Sequence, residues 1–174
     1  MKKLARLTAL LLTGVMLLLL ASCGAAPGGG AIMTPEETAA KQAILNALNE
    51  YRTSNGVNEV VEIPELSNAE QFWVDTFRKA GDYKITTSEY NSVNPKYKGM
   101  IPSEWEPGCY FGWISESLMD YALETTDPSN TEALVQRFDT WSAFKNDRYT
   151  AVGIGVTTIN GKIYWACTMY APKK

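Results

Sequence analysis

A chain of 174 residues without a single histidine has few routes to acid–base or metal chemistry. Histidine is the common proton acceptor for a serine or cysteine nucleophile and a common nitrogen ligand for zinc. Among the substitutes, Ser142 lies three residues before Lys145, a spacing found on any helix, and no Gly-x-Ser-x-Gly turn occurs. Cys109 and Cys167 have no imidazole partner. Asp120, Glu124 and Asp127 form a loose acidic group, for which a solvated face is the ordinary reading. No Asp-x-Asp-x-Asp-Gly loop offers calcium its cluster of oxygens. The residues predict no catalytic set, no metal site and no cofactor. Carboxylates such as Glu116 and Asp147 carry the one alternative, a hydrolase working without histidine.

What the chain does offer is aromatic rings. Tyr83, Tyr90, Tyr97, Trp105, Tyr110, Phe111 and Trp113 crowd one stretch. Such rings line apolar pockets or present contact surfaces, with a polar handle at the edge of Tyr and Trp. Phe111 and Trp113 are expected to cover a sheet. Tyr90, Tyr97 and Trp105 sit among polar residues and, with Glu116, are the expected binding residues.

Cys23 carries a different chemistry. It follows Leu20-Ala21-Ser22 at the end of an apolar run from Leu7 to Ala21, itself preceded by Lys2, Lys3 and Arg6. Basic head, apolar stretch and small residues before a cut predict a secretory signal over 1–22, too short for a confident membrane span. The Leu-Ala-Ser-Cys end resembles the bacterial lipobox, which implies lipidation of Cys23 and attachment to the outer side of a membrane. Gly24 to Ala31 is a run of small residues, so 23–33 is expected to be a flexible tether and 34–174 the folded domain.

Cleavage after Ser22 leaves 152 residues, one domain by length, with 13 basic against 19 acidic residues and a net charge of −6. That balance argues against nucleic acid, whose binders present a basic face. Attachment to the membrane must then come from acyl chains, at ~0.8 kcal/mol per buried methylene. The expected partners are the membrane, through the lipid, and an apolar small molecule, a cell-wall glycan or a protein. Two cysteines remain after Cys23. In an oxidising compartment an even count permits one bridge, Cys109–Cys167, and closing that loop would contribute roughly 3–5 kcal/mol. Two separately buried thiols are the alternative.

The elements that must position these residues are marked by caps and turns. Thr34-Pro35-Glu36-Glu37 predicts a helix start, and Ala40, Ile44, Ala47, Leu48 and Tyr51 share its inner face. Ser67-Asn68-Ala69-Glu70 predicts a second start near Asn68, with Ala69, Phe72, Trp73, Phe77 and Ala80 inward and Gly81 as the stop. Asp82 to Gly108 reads as a long irregular connection, and Cys109 to Ile114 as a strand. A third helix is predicted from Glu132, carrying Leu134, Val135, Phe138 and Trp141. Tyr149 to Ile159 and Lys162 to Tyr170 flank Asn160-Gly161, the favoured type I′ hairpin turn.

These elements, in this order, resemble the CAP superfamily (SCP, or cysteine-rich secretory protein, antigen 5 and PR-1). The matching segments are Leu48-Asn49-Glu50-Tyr51-Arg52 with Gly56-Val57, the aromatic helix after Leu66, and the closing hairpin Tyr149 to Tyr170. The resemblance implies a mixed α/β fold of the α+β kind, a three-layer α-β-α sandwich ending in a β-hairpin. Many members place two histidines and two acidic residues around a cleft where a divalent cation can bind. Here the first histidine would fall near Ile85 to Ser88, the second between Thr140 and Asp147, and Trp113 stands where a family glutamate would be. The resemblance with those losses implies a binding or interaction module rather than an enzyme.

Overall fold

The computed structural model describes residues 32–114 and 120–174. The leader, Cys23 and most of the tether lie outside the described residues, as does Glu116.

Helix α1 (Pro35–Ser54) begins at a full capping box: the Thr34 hydroxyl accepts from the Glu37 N–H, and the Glu37 carboxylate accepts from the Thr34 N–H. Strand β1 (Val61–Glu62) and helix α2 (Pro64–Ala80) follow. The next elements are β2 (Lys84–Ile85), α3 (Thr87–Met100), β3 (Trp105–Phe111) and β4 (Tyr121–Ala122). Helix α4 (Thr131–Asp139), a 3-10 turn (Ser142–Lys145), β5 (Ala151–Ile159) and β6 (Lys162–Pro172) complete the chain. The main sheet has the order β1-β5-β6-β3, with β1 parallel to β5 and the other pairs antiparallel; β2 and β4 form a small second sheet.

Alternation along the strands divides the core in two, which is what makes three layers. One face of the sheet, with Phe111, Ile154, Trp165, Cys167 and Met169, packs on Ile44 and Leu48 of α1 and Leu134 and Phe138 of α4. The opposite face packs on Trp73, Val74 and Phe77 of α2 and Tyr97 of α3. Helix α2 lies unusually close to β5: a Cβ at Gly155 would sit 2.3 Å from the Glu70 carbonyl oxygen, so only glycine fits beneath the helix. The hairpin turn has Asn160 and Gly161 at φ 52° and 76°, the left-handed pair a type I′ turn requires.

Asn49 and Arg52, three residues apart on α1, act as backbone clamps. Asn49 bonds both the N–H and the carbonyl of Val60. Arg52, fully buried, donates to the carbonyls of Asn58, Phe144, Asn146 and Tyr149, fixing the 3-10 turn and the entry to β5.

Three expectations are corrected. Asp82 to Gly108 is not an irregular connection: Thr86 and Glu89 form a second capping box that starts α3, a helix of weak periodicity in which only Tyr97 is buried. Helix α2 begins at Pro64 rather than near Asn68. The Ser67 hydroxyl donates to Glu62 and accepts from Ile154 N–H, and Glu70 points into the core, so neither caps a helix. Strand β3 lies earlier than Cys109 to Ile114, because the glycine at 112 has φ 78° and breaks the strand.

Cys109 and Cys167 are both free, buried thiols in the structure, the alternative to the expected bridge. Cys167 faces Phe111 across β3 and β6, and the bulge between Pro107 and Tyr110 leaves Cys109 diagonal to it. Diagonal neighbours lie about 7–8 Å apart, somewhat less between Cβ atoms, whereas a disulfide needs Cβ atoms about 3.8 Å apart. Burial pushes the Cys109 thiol up to about 12 and raises Cys167 as well.

Candidate functional site

Two cavities open beside β3. The larger, about 590 Å³, lies between the end of β3, the small β2–β4 sheet and the segment from α4 to Trp141. Tyr83, Tyr110, Phe111, Trp113 and Trp141 give it aromatic walls; Lys84, Glu124, Thr125 and Arg137 supply its polar groups. The smaller, about 220 Å³, lies between α3 and β3 and includes Tyr90, Tyr97, Tyr121 and Thr168. Tyr110, Trp113 and Ile114 form a wall common to both.

The polar side of the larger cleft is rigidly built. Glu124 Oε1 accepts from the Thr125 and Thr126 N–H groups and the Thr126 hydroxyl, while Oε2 accepts from Arg137 Nε at 2.8 Å. The Arg137 guanidinium also lies over the Phe111 ring, 4.5 Å from its centre. Trp141 meets the rings of Tyr110 and Phe111 edge to face and remains 38% exposed at the rim.

Behind the shared wall sits a carboxyl that sequence reading missed. Glu70 is fully buried. Its Oε1 accepts from the Tyr97 hydroxyl at 2.6 Å and the Tyr170 hydroxyl at 3.0 Å, and Oε2 from Trp113 Nε1 at 3.3 Å. Desolvation dominates these bonds and pushes Glu70 up to about 7. Burial, and then the adjacent carboxylate, raise Tyr97 and Tyr170 in turn. The Thr168 hydroxyl lies near enough to favour the charged carboxylate, yet outside hydrogen-bonding geometry, and it has no partner among the described residues. Trp113 stacks on Trp73 with ring centres 4.1 Å apart, so Glu70 and Trp73 together fix the wall.

The expected binding residues separate. Tyr90 and Tyr97 line the smaller cavity, but Tyr97 is 5% exposed and tied to Glu70 and Tyr170, a structural role. Tyr90 stacks on Tyr121. Trp105 lines neither cavity; it is half-buried at the start of β3 and packs beside Leu66 and Tyr170. Phe111 and Trp113 are buried as expected and also wall the larger cleft. Asp147 is exposed and away from both cavities. The loose acidic group dissolves into separate roles: Glu124 holds Arg137, and Asp120 lies 4.0 Å from Lys84. Asp127 accepts from the Ser129 N–H and hydroxyl, which hold its carboxyl below the usual range. Among the described residues, no three His, Cys, Asp or Glu side chains converge as a metal would require.

Arg137 and Trp141 carried a findable signal, lying four residues apart around the end of α4. Nothing local pointed to Glu70 or Tyr170, which meet across 100 residues of chain.

The profile of the cysteine-rich secretory protein family (CAP) matches residues 45–169. No curated protein sequence matches the chain. Among solved structures, an outer surface protein of Borrelia burgdorferi aligns with a TM-score of 0.57 at 11% identity, covering 83% of this chain and 99% of that one. At that identity the likeness shows the fold alone. An extracellular SCP-domain protein of Bacillus anthracis aligns with a TM-score of 0.48 at 12% identity, covering 82% of this chain and 45% of that one. The regions where the resemblance would set the missing histidines adjoin Lys84 and include Trp141, and Trp113 stands where the resemblance would set the glutamate; all three line the larger cleft.

Proposed function

We propose that this chain, which belongs to the cysteine-rich secretory protein (CAP) family, is a non-catalytic binding module held outside a membrane by lipid on Cys23, with the larger cleft as its ligand site. One observation carries the reading. The cleft is walled by Tyr83, Tyr110, Trp113 and Trp141, and its one carboxylate among the described lining residues, Glu124, is occupied by four donors. General acid or base work needs a carboxyl free to exchange a proton with substrate, and glycoside hydrolysis by carboxylates takes a pair of them. Aromatic walls with a few fixed polar groups are what a binding cleft requires, and 590 Å³ falls in the usual ligand-pocket range of ~300–1,000 Å³.

The leader and Leu-Ala-Ser-Cys sequence support export and anchoring. No described helix is long and apolar enough to cross a membrane. Native mass spectrometry of the purified protein should find a copurifying small ligand, and Trp141→Ala should strip it while leaving the protein folded by circular dichroism. Turnover of a peptide, ester or glycan, abolished by Glu116→Gln or Asp147→Asn, would replace this reading with the hydrolase.

A further inference from the structure

We propose that the larger cleft receives an acidic saccharide, a sugar ring carrying a carboxylate, and that Arg137 binds the carboxylate; this rests on the reading of that cleft as the ligand site. The guanidinium is fixed before any ligand arrives. Nε donates to Glu124, Nη1 donates to Thr140 Oγ1 at 3.3 Å, and the Phe111 ring lies beneath the group. Nη2 has no hydrogen-bond acceptor among the described residues. A planar fork with fixed direction and unpaired N–H groups is suited to a carboxylate, with little entropy left to lose on binding.

Glu124 does not repel an anion as an isolated carboxylate would, because it is ion-paired with Arg137 and accepts from three neutral donors. Lys84, 44% exposed and 4.0 Å from Asp120, adds a second cation to the lining. Two cations and one carboxylate thus line the cleft, a lining charge of +1 in a chain whose net charge is −3, so the cleft runs against the charge of its own protein. Cations set in a concave site attract anions more strongly than the same charges on an open surface. Trp141, exposed at the rim, offers apolar ring surface to a sugar, and Lys84 and Thr125 offer hydrogen bonds to its hydroxyls. An aromatic acid leaves those two without partners.

Matched pairs test the proposal by isothermal titration calorimetry on the purified full-length protein: galacturonate against galactose, and glucuronate against glucose. The acidic member should bind roughly tenfold or more tightly than its neutral twin, as a charge-assisted hydrogen bond in a partly buried site allows. The gap should narrow with added salt. It should close in Arg137→Gln and return only in part in Arg137→Lys, which keeps the charge but loses the fork. Should Arg137→Gln not fold, the salt dependence and Lys84→Ala still decide, since loss of that exposed cation should narrow the gap without lowering Tm. Equal affinity for both twins, weakened alike by Trp141→Ala, overturns the carboxylate inference and leaves the cleft reading standing. Benzoate binding as tightly as the acidic sugars overturns the saccharide class. No binding by any of the four sugars overturns the proposal, and the Trp141 dependence of a copurified ligand then decides the cleft reading by itself.

Discussion

The Glu70 carboxylate accepts a 2.6 Å hydrogen bond from the Tyr97 hydroxyl in a space closed to solvent, joining α2 to α3 across the core. Its two other donors, Tyr170 and Trp113, come from β6 and from the wall of both cavities, so one ionisable group ties α2, α3, β6 and that wall together.

That group makes stability fall as pH rises. The unfolded carboxyl gives up its proton near 4.5, while the folded one keeps it to about 7. The stabilisation is therefore fully present below about pH 4.5 and is lost as pH climbs to about 7. Each tenfold difference in proton affinity is worth about 1.4 kcal/mol, so the loss is on the order of 3 kcal/mol. Urea denaturation across this window should show the decline, and Glu70→Gln should flatten it. An unchanged pH profile in that variant would assign the dependence to other groups.

Arg52 predicts a large structural penalty. Replacement by methionine fills the volume but leaves the carbonyls of Asn58, Phe144, Asn146 and Tyr149 without their donor. At ~1–3 kcal/mol for each unsatisfied buried group, destabilisation by about 3 kcal/mol or more is expected in chemical denaturation. A loss below about 1 kcal/mol would show that water replaces the guanidinium.

The thiols should be silent in the native state and free in the unfolded one. In a Cys23→Ala variant, labelling without reductant should modify neither Cys109 nor Cys167 in the folded protein, because both are buried with raised pKa values. Denaturant should expose two labelled cysteines. None labelled would restore the bridge.

The same Cys23→Ala change tests anchoring. Fractionation should move the protein from the membrane to the soluble fraction or leave it unprocessed. Unchanged membrane attachment would remove the lipid from the proposed function.

The sequence by itself determined the elements whose signals are local. The Thr34 capping box, the Asn160-Gly161 turn and the long β5 and β6 strands are each written within a few neighbouring residues, because caps and turns are chosen by φ, ψ and short-range hydrogen bonds. The lack of histidine was equally plain. Helix α3 is not legible in periodicity, because only Tyr97 of its residues is buried and the rest of its surface is largely polar. The candidate site needed the tertiary structure. Glu70, Trp113 and Tyr170 look like ordinary helix and strand residues until three layers close on them. Only the packing of α4 against β3 sets Arg137 over Phe111 and beside Glu124. Burial, which turned a cap-like glutamate into a carboxyl titrating near neutral pH, is a property of the whole fold and leaves no mark in local spacing.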